Sequence, residues 1–129
     1  MAVTHSVAAR NAATDAVTAL IGASGKLKFR LTGTAGAPGT AVATLSLSAT
    51  AFGASSSGTA TANAITSDTN ATGNASPVAT ATLETSGGTV VVHCAVAASS
   101  SDINLSNGLT VNAGDTVSCS SLTYTALIA

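Results

Sequence analysis

Apolar positions recur at helical spacing in one stretch of this chain, residues 6–21 (SVAARNAATDAVTALI), where Ala9, Ala13, Val17, Leu20 and Ile21 fall near one face. Ser6 stands where an N-cap hydroxyl can take an orphan amide of the first turn. Gly22 and Gly25 supply a stop, because glycine tolerates the left-handed backbone that follows a helix. From Lys26 onward the period changes to two. In KLKFRLT the residues Leu27, Phe29 and Leu31 point one way and Lys26, Lys28, Arg30 and Thr32 the other, the pattern of a half-buried strand.

Alternation then recurs in short runs. After a Gly-rich loop at 33–40, AVATLSLSA (41–49) sets Ala43, Leu45, Leu47 and Ala49 against Ser and Thr. GASSSG (53–58) is a turn before a weak strand at Thr59–Thr66. A polar loop (67–77) precedes Ala79, Ala81 and Leu83 alternating with Thr80, Thr82 and Glu84. Gly87-Gly88 sits where a hairpin turn belongs, and TVVVHCAV (89–96) returns as the most hydrophobic strand. Short strands follow near Ile103–Leu105 and Leu109–Asn112, then a last one from Thr116 to about Ile128 with a bulge near Ser120-Ser121. Seven or eight strands at this spacing predict a mainly β chain. Its expected architecture is an antiparallel β-sandwich, jelly-roll or immunoglobulin-like, behind one short N-terminal α-helix. The expected division is an arm and helix at 1–25 and a sandwich at 26–129, one structural unit.

Composition changes the picture most through charge. The 129 residues include four Lys or Arg and five Asp or Glu, 7% against roughly 25% in an average domain. A surface built from Ser, Thr, Asn, Gly and Ala has little charge to prevent association and few groups to move protons. Nearly half of the 46% hydrophobic content is alanine, and the core aromatics number three, Phe29, Phe52 and Tyr124. Burial against partner subunits is the expected supplement, so a homo-oligomer or docked subunit is favoured over a free monomer. A net charge of −1 gives no field for nucleic acid, and no run of about 20 apolar residues predicts a membrane span. The N-terminal residues lack a basic signal-peptide region, which points to synthesis and folding in a cytoplasm.

Candidate chemistry is sparse. His93 and Cys94 are adjacent, but neighbours on a strand face opposite ways and cannot form a nucleophile–base pair. Cys94 and Cys119 are the two thiols; they read as buried free cysteines, as an intrachain disulfide, or as a bridge between subunits. Metal-ligand spacing is missing, Asp102-x-Asn104 reads as a turn, and the glycine pattern matches no phosphate or dinucleotide loop. No catalytic, cofactor or metal residues are therefore expected. Lys26, Lys28 and Arg30 form a basic row, either a solvated face that blunts an edge strand or a contact for an acidic partner surface. Thr59 with Thr61, and Thr80 with Thr82, form outward threonine rows that motivate an adhesin-like or ice-binding module as a rival reading.

The C-terminal half carries a resemblance. Ser67-Asp68-Thr69, the Val90-Val91 hairpin strand, Asp102-Ile103-Asn104-Leu105 and Ala113-Gly114-Asp115-Thr116-Val117-Ser118 follow in an order that resembles small virion structural proteins of tailed bacteriophages. The N-terminal helix and the KLKFRL strand fit the same plan. The resemblance implies a non-enzymatic virion protein, foremost a capsid decoration (cement) protein that binds and stabilises the assembled head. A neck, tail-tube or fibre component is its alternative. The implied partners are capsid or other virion proteins, and the implied location is the virion.

Overall fold

A computed structural model describes residues 3–34, 36–105 and 108–127 of the chain. The start of the N-terminal arm, one residue of the 33–40 loop and the Ile128 end of the expected last strand lie outside the described residues. The elements are α1 (Val7–Ile21), β1 (Lys26–Arg30), β2 (Ala41–Ser46), β3 (Thr59–Thr61), β4 (Thr80–Glu84), β5 (Val90–Ala97), β6 (Ile103–Asn104) and β7 (Thr123–Thr125).

The chain is mainly strands with one short N-terminal helix. Five strands form a curled, half-barrel sheet in the order β2-β1-β4-β5-β6, and β3 pairs with β7 in a separate two-stranded ribbon. The main sheet is mixed, because β5 and β6 run parallel while every other pair is antiparallel. A wholly antiparallel pair of sheets is therefore not what forms. The stretches expected as strands at 109–112 and 116–122 are irregular, yet their backbones are satisfied: Leu109 and Val111 accept from Val78 and Asn74, and Val117 pairs with Asp68. Val111 and Val117 of these stretches are buried in the core.

Register explains which faces are buried. Leu27 stands between Leu45 and Leu83, and Phe29 between Ala43 and Ala81, so one face of the sheet is apolar across three strands. Leu27, Phe29, Leu45 and Leu83 are all buried, together with Ile21, Val42, Phe52, Val78, Val96, Val111 and Val117 from the surrounding elements. The opposite face carries Lys28 beside Thr44 and Thr82, with His93 beyond Thr82. The hairpin joining β4 to β5 is wider than two residues. Thr85 and Thr89 close it, and Gly88 adopts a φ of +93° that favours glycine.

The helix begins and ends as its sequence predicts. Ser6 Oγ accepts from the Ala9 amide at 3.1 Å, and Gly22, with φ +70°, donates back to Thr18. The helix is part of the fold, not a free arm. Ile21 is buried in the core. A Cβ at Gly25 would come within 2.5 Å of Ile21 Cγ2 and 2.7 Å of the Glu84 carbonyl, so glycine lets helix and sheet approach. Thr14, fully buried, donates to the Gly58 carbonyl at 2.6 Å and accepts from the Ala126 amide at 3.1 Å. One hydroxyl thus ties the helix to the start of β3 and the end of β7.

Thr14→Val keeps the shape and strands both partners. It is expected to lower unfolding free energy by about 1–3 kcal/mol, measured by urea denaturation. A change within a few tenths of a kcal/mol would show that the helix is held by other contacts.

Candidate functional site

β1 lies between β2 and β4, so its basic row does not guard a sheet edge. Nor does Arg30 point into solvent: it is 8% exposed. The cause is Glu84, the one glutamate of the chain, which is fully buried on the same face of β4. Arg30 Nη2 lies 2.6 Å from Glu84 Oε2, and Lys28 Nζ lies 3.2 Å from Oε1. Thr82 Oγ1 donates to Glu84 Oε2 at 2.5 Å and accepts from Arg30 Nε at 3.1 Å. Arg30 Nη1 donates to the Gly39 carbonyl at 2.5 Å, which binds the 33–40 loop to the cluster. Burial, the largest influence, pushes the Glu84 carboxyl up. The hydrogen bonds from Thr82, Arg30 and Lys28 and the Lys28 charge outweigh it and hold the group below its ordinary value.

Of the three basic residues, Arg30 is therefore consumed inside the fold. Lys28 is shared between Glu84 and solvent, with 26% of its side chain exposed. Lys26 donates to Ser46 Oγ at 3.1 Å. The threonine rows are likewise divided. Thr82 is buried in the ion cluster, and Thr80 donates to the Thr32 carbonyl. Thr59 and Thr61 face Thr125 and Thr123 across the ribbon, four threonines in all. That is a small array beside the extended one an ice-binding surface needs.

The acidic residues outside the cluster all hold backbone. Asp15 accepts from Ser55, Asp68 from Thr44 and Asn70, Asp102 from Ala95, and Asp115 from Asn112. Asn104 accepts from Ser101, and Ile103 and Asn104 form strand β6, so the turn expected at Asp102-x-Asn104 is not what forms. A groove of about 540 Å³ opens over the apolar side of the sheet, its wall including Phe29, Asp102, Asp115, Thr116, Cys119 and Ser121. Nothing in the sequence announced it, because it is made by irregular segments that meet only in the fold.

His93 and Cys94 face opposite sides of β5, His93 opposite Thr82 and Cys94 opposite Ala81. The imidazole Nε2 is buried without a hydrogen-bond partner. Cys94 and Cys119 are free thiols here; the disulfide considered from sequence is not formed. Cys94 donates to the Ala81 carbonyl and Cys119 to the Ser121 carbonyl. Burial, helped by the Asp102 charge, pushes the Cys94 thiol up to about 11, and burial also raises Cys119. Both stay protonated at neutral pH, the poorly nucleophilic form. Among the described residues no three His, Cys, Asp or Glu converge as a metal cluster, and no helix is long and apolar enough to cross a membrane.

Comparison with known proteins assigns nothing: no protein-family model, no curated protein and no solved structure matches the chain. The molecule has an ion cluster at the middle of the main sheet, aspartates tied to strand and loop amides, and an outer surface of small uncharged residues.

Arg30→Met leaves Glu84 buried beside Lys28 alone and is expected to cost about 3–5 kcal/mol; Arg30→Met with Glu84→Leu is expected to recover most of that loss. Additive losses in urea denaturation would mean that the two side chains do not act as a pair. Because the folded-state value of Glu84 is lowered, its contribution is complete above the ordinary value of about 4.5. The contribution is lost as pH falls from there through the lowered value. Stability should drop across that acid window, and the double variant should drop less.

Proposed function

We propose that this chain is a structural subunit that works by binding other protein surfaces, foremost as a decoration protein on an assembled phage capsid. The observation that carries this reading is the placement of charge. Three of the four basic residues lie on one sheet face around a buried carboxylate, and each aspartate is tied to a backbone amide. What faces outward is largely hydroxyl, amide and methyl groups. Such a surface can be buried against a partner at low desolvation cost, since few charges must leave water.

The resemblance of the 67–69, 102–105 and 113–118 segments to small virion proteins supports the same reading. The two-stranded β3–β7 ribbon is compatible with a reduced second sheet of the sandwich such proteins are expected to have. With Thr14 and Ile21 built into the fold, the anchor on a particle is the exposed apolar pair Val3 and Val7, at 77% and 51% exposure. Anchoring by this pair needs no unfolding of the helix.

Particles purified by density gradient from a culture producing this chain should carry it in hundreds of copies, counted by quantitative mass spectrometry. A few copies per particle would favour the neck, tail-tube or fibre alternative. Absence from particles would overturn the virion reading.

A further inference from the structure

The few charges divide unevenly between the β1–β4 cation face and the rest of the molecule. Lys26, Lys28 and Arg30 against Glu84 leave the β1–β4 face at +2, whereas Arg10 against Asp15, Asp68, Asp102 and Asp115 leaves the remainder at −3. Side chains of consecutive strand residues alternate between faces. Phe29 walls the groove that contains Asp102 and Asp115, so Lys28 points to the other side of the sheet. A basic face and an acidic groove therefore lie back to back in a molecule otherwise almost free of charge.

We infer that copies of this chain associate head to tail, with Lys26 and Lys28 of one copy seated on the Asp102–Asp115 groove of the next. Lys26 has one acceptor, Ser46, and Lys28 has Glu84. An ammonium carries three donors, so both lysines can take a further acceptor. On the other side, Ala95 and Asn112 donate to Asp102 Oδ2 and Asp115 Oδ2, and each carboxylate keeps a second oxygen that can accept. Both aspartates are exposed. The two lysine Cα atoms stand two strand residues apart, about 6.5–7 Å. A groove of about 540 Å³ walled by hydroxyl-bearing residues such as Thr116 and Ser121 has room for their tips. Arg30 does not take part, because Glu84, Thr82 and Gly39 already hold it.

The two surfaces are different patches of one molecule, so the contact is heterologous. It closes into a ring if the rotation per copy permits and otherwise extends as a chain. It is also salt-sensitive, since exposed charges are screened beyond about 10 Å at 0.1 M and beyond about 3 Å at 1 M ionic strength. The inference does not rest on the virion reading: a chain that self-associates and never joins a particle would leave it standing.

Sedimentation velocity of the purified chain tests it. At low ionic strength, about 20 mM, the mass should rise with concentration beyond that of a dimer, and about 0.5 M salt should return it to monomer. Lys26→Gln with Lys28→Gln, and separately Asp102→Asn with Asp115→Asn, should each weaken self-association by about tenfold or more. An equimolar mixture of the two double variants should form a heterodimer and stop there, because each retains one of the two complementary patches. Circular dichroism checks that the variants fold. Should Lys28→Gln disturb the Glu84 cluster, Lys26→Gln alone carries the same test, with a smaller weakening expected. A monomer at low salt, association indifferent to salt and to both variants, or a mixture that stays monomeric would overturn the inference.

Discussion

The fold depends on one buried carboxylate. Glu84 is fully buried in the central strand pair, with Arg30, Lys28 and Thr82 all directed at it. Removing these charges from water is expensive; the hydrogen bonds to Oε2 and the two ion pairs offset it, although Oε1 has no hydrogen-bond partner. In return the cluster fixes geometry. It holds β1 against β4 and draws the 33–40 loop inward through the Gly39 carbonyl. A one-residue slip of β1 would turn Leu27 and Phe29 outward and place the cations in the core. The charge-based lock adds to the apolar alternation of Leu27 and Phe29, which favours the same register.

The same scarcity organises the rest of the molecule. With so few acidic groups, each has a local task, either tying a backbone amide or neutralising the cations of β1. The hydroxyl of Thr14 plays the corresponding part for the helix, linking three segments far apart in sequence. A protein built this way has an interior stitched by polar contacts and an exterior of small neutral groups. That inversion of the ordinary surface is the physical basis for reading it as a subunit of something larger.

Much of the layout was legible in the sequence. The helix, its Ser6 cap and its Gly22 stop follow from local chemistry, as do the alternation in KLKFR and the hydrophobic run of β5. The opposed faces of His93 and Cys94 follow from period two alone. Pairing was not legible. Nothing local shows that β1 is interior or that the residues opposite Lys28 and Lys26 are Thr82 and Glu84, so the basic row looked like a solvent face. Glu84 fell correctly on the polar face of its strand, and as the sole glutamate among threonines it was the available hint of a counter-ion. The C-terminal stretches alternate weakly and fold as irregular backbone around a groove, because their partners are loops such as 67–78, not neighbouring strands.

The lock on the sheet works only if Glu84 is ionised and held by its cationic neighbours. Carboxyl-carbon NMR with selective glutamate labelling reads this directly, since the chain has one glutamate. A titration midpoint below the ordinary glutamate range of about 4.3–4.5 is expected, and it should be lost when Arg30 is replaced. A midpoint at or above that range would contradict this, because burial would then outweigh the ion pairs and the cluster could not be what locks the sheet.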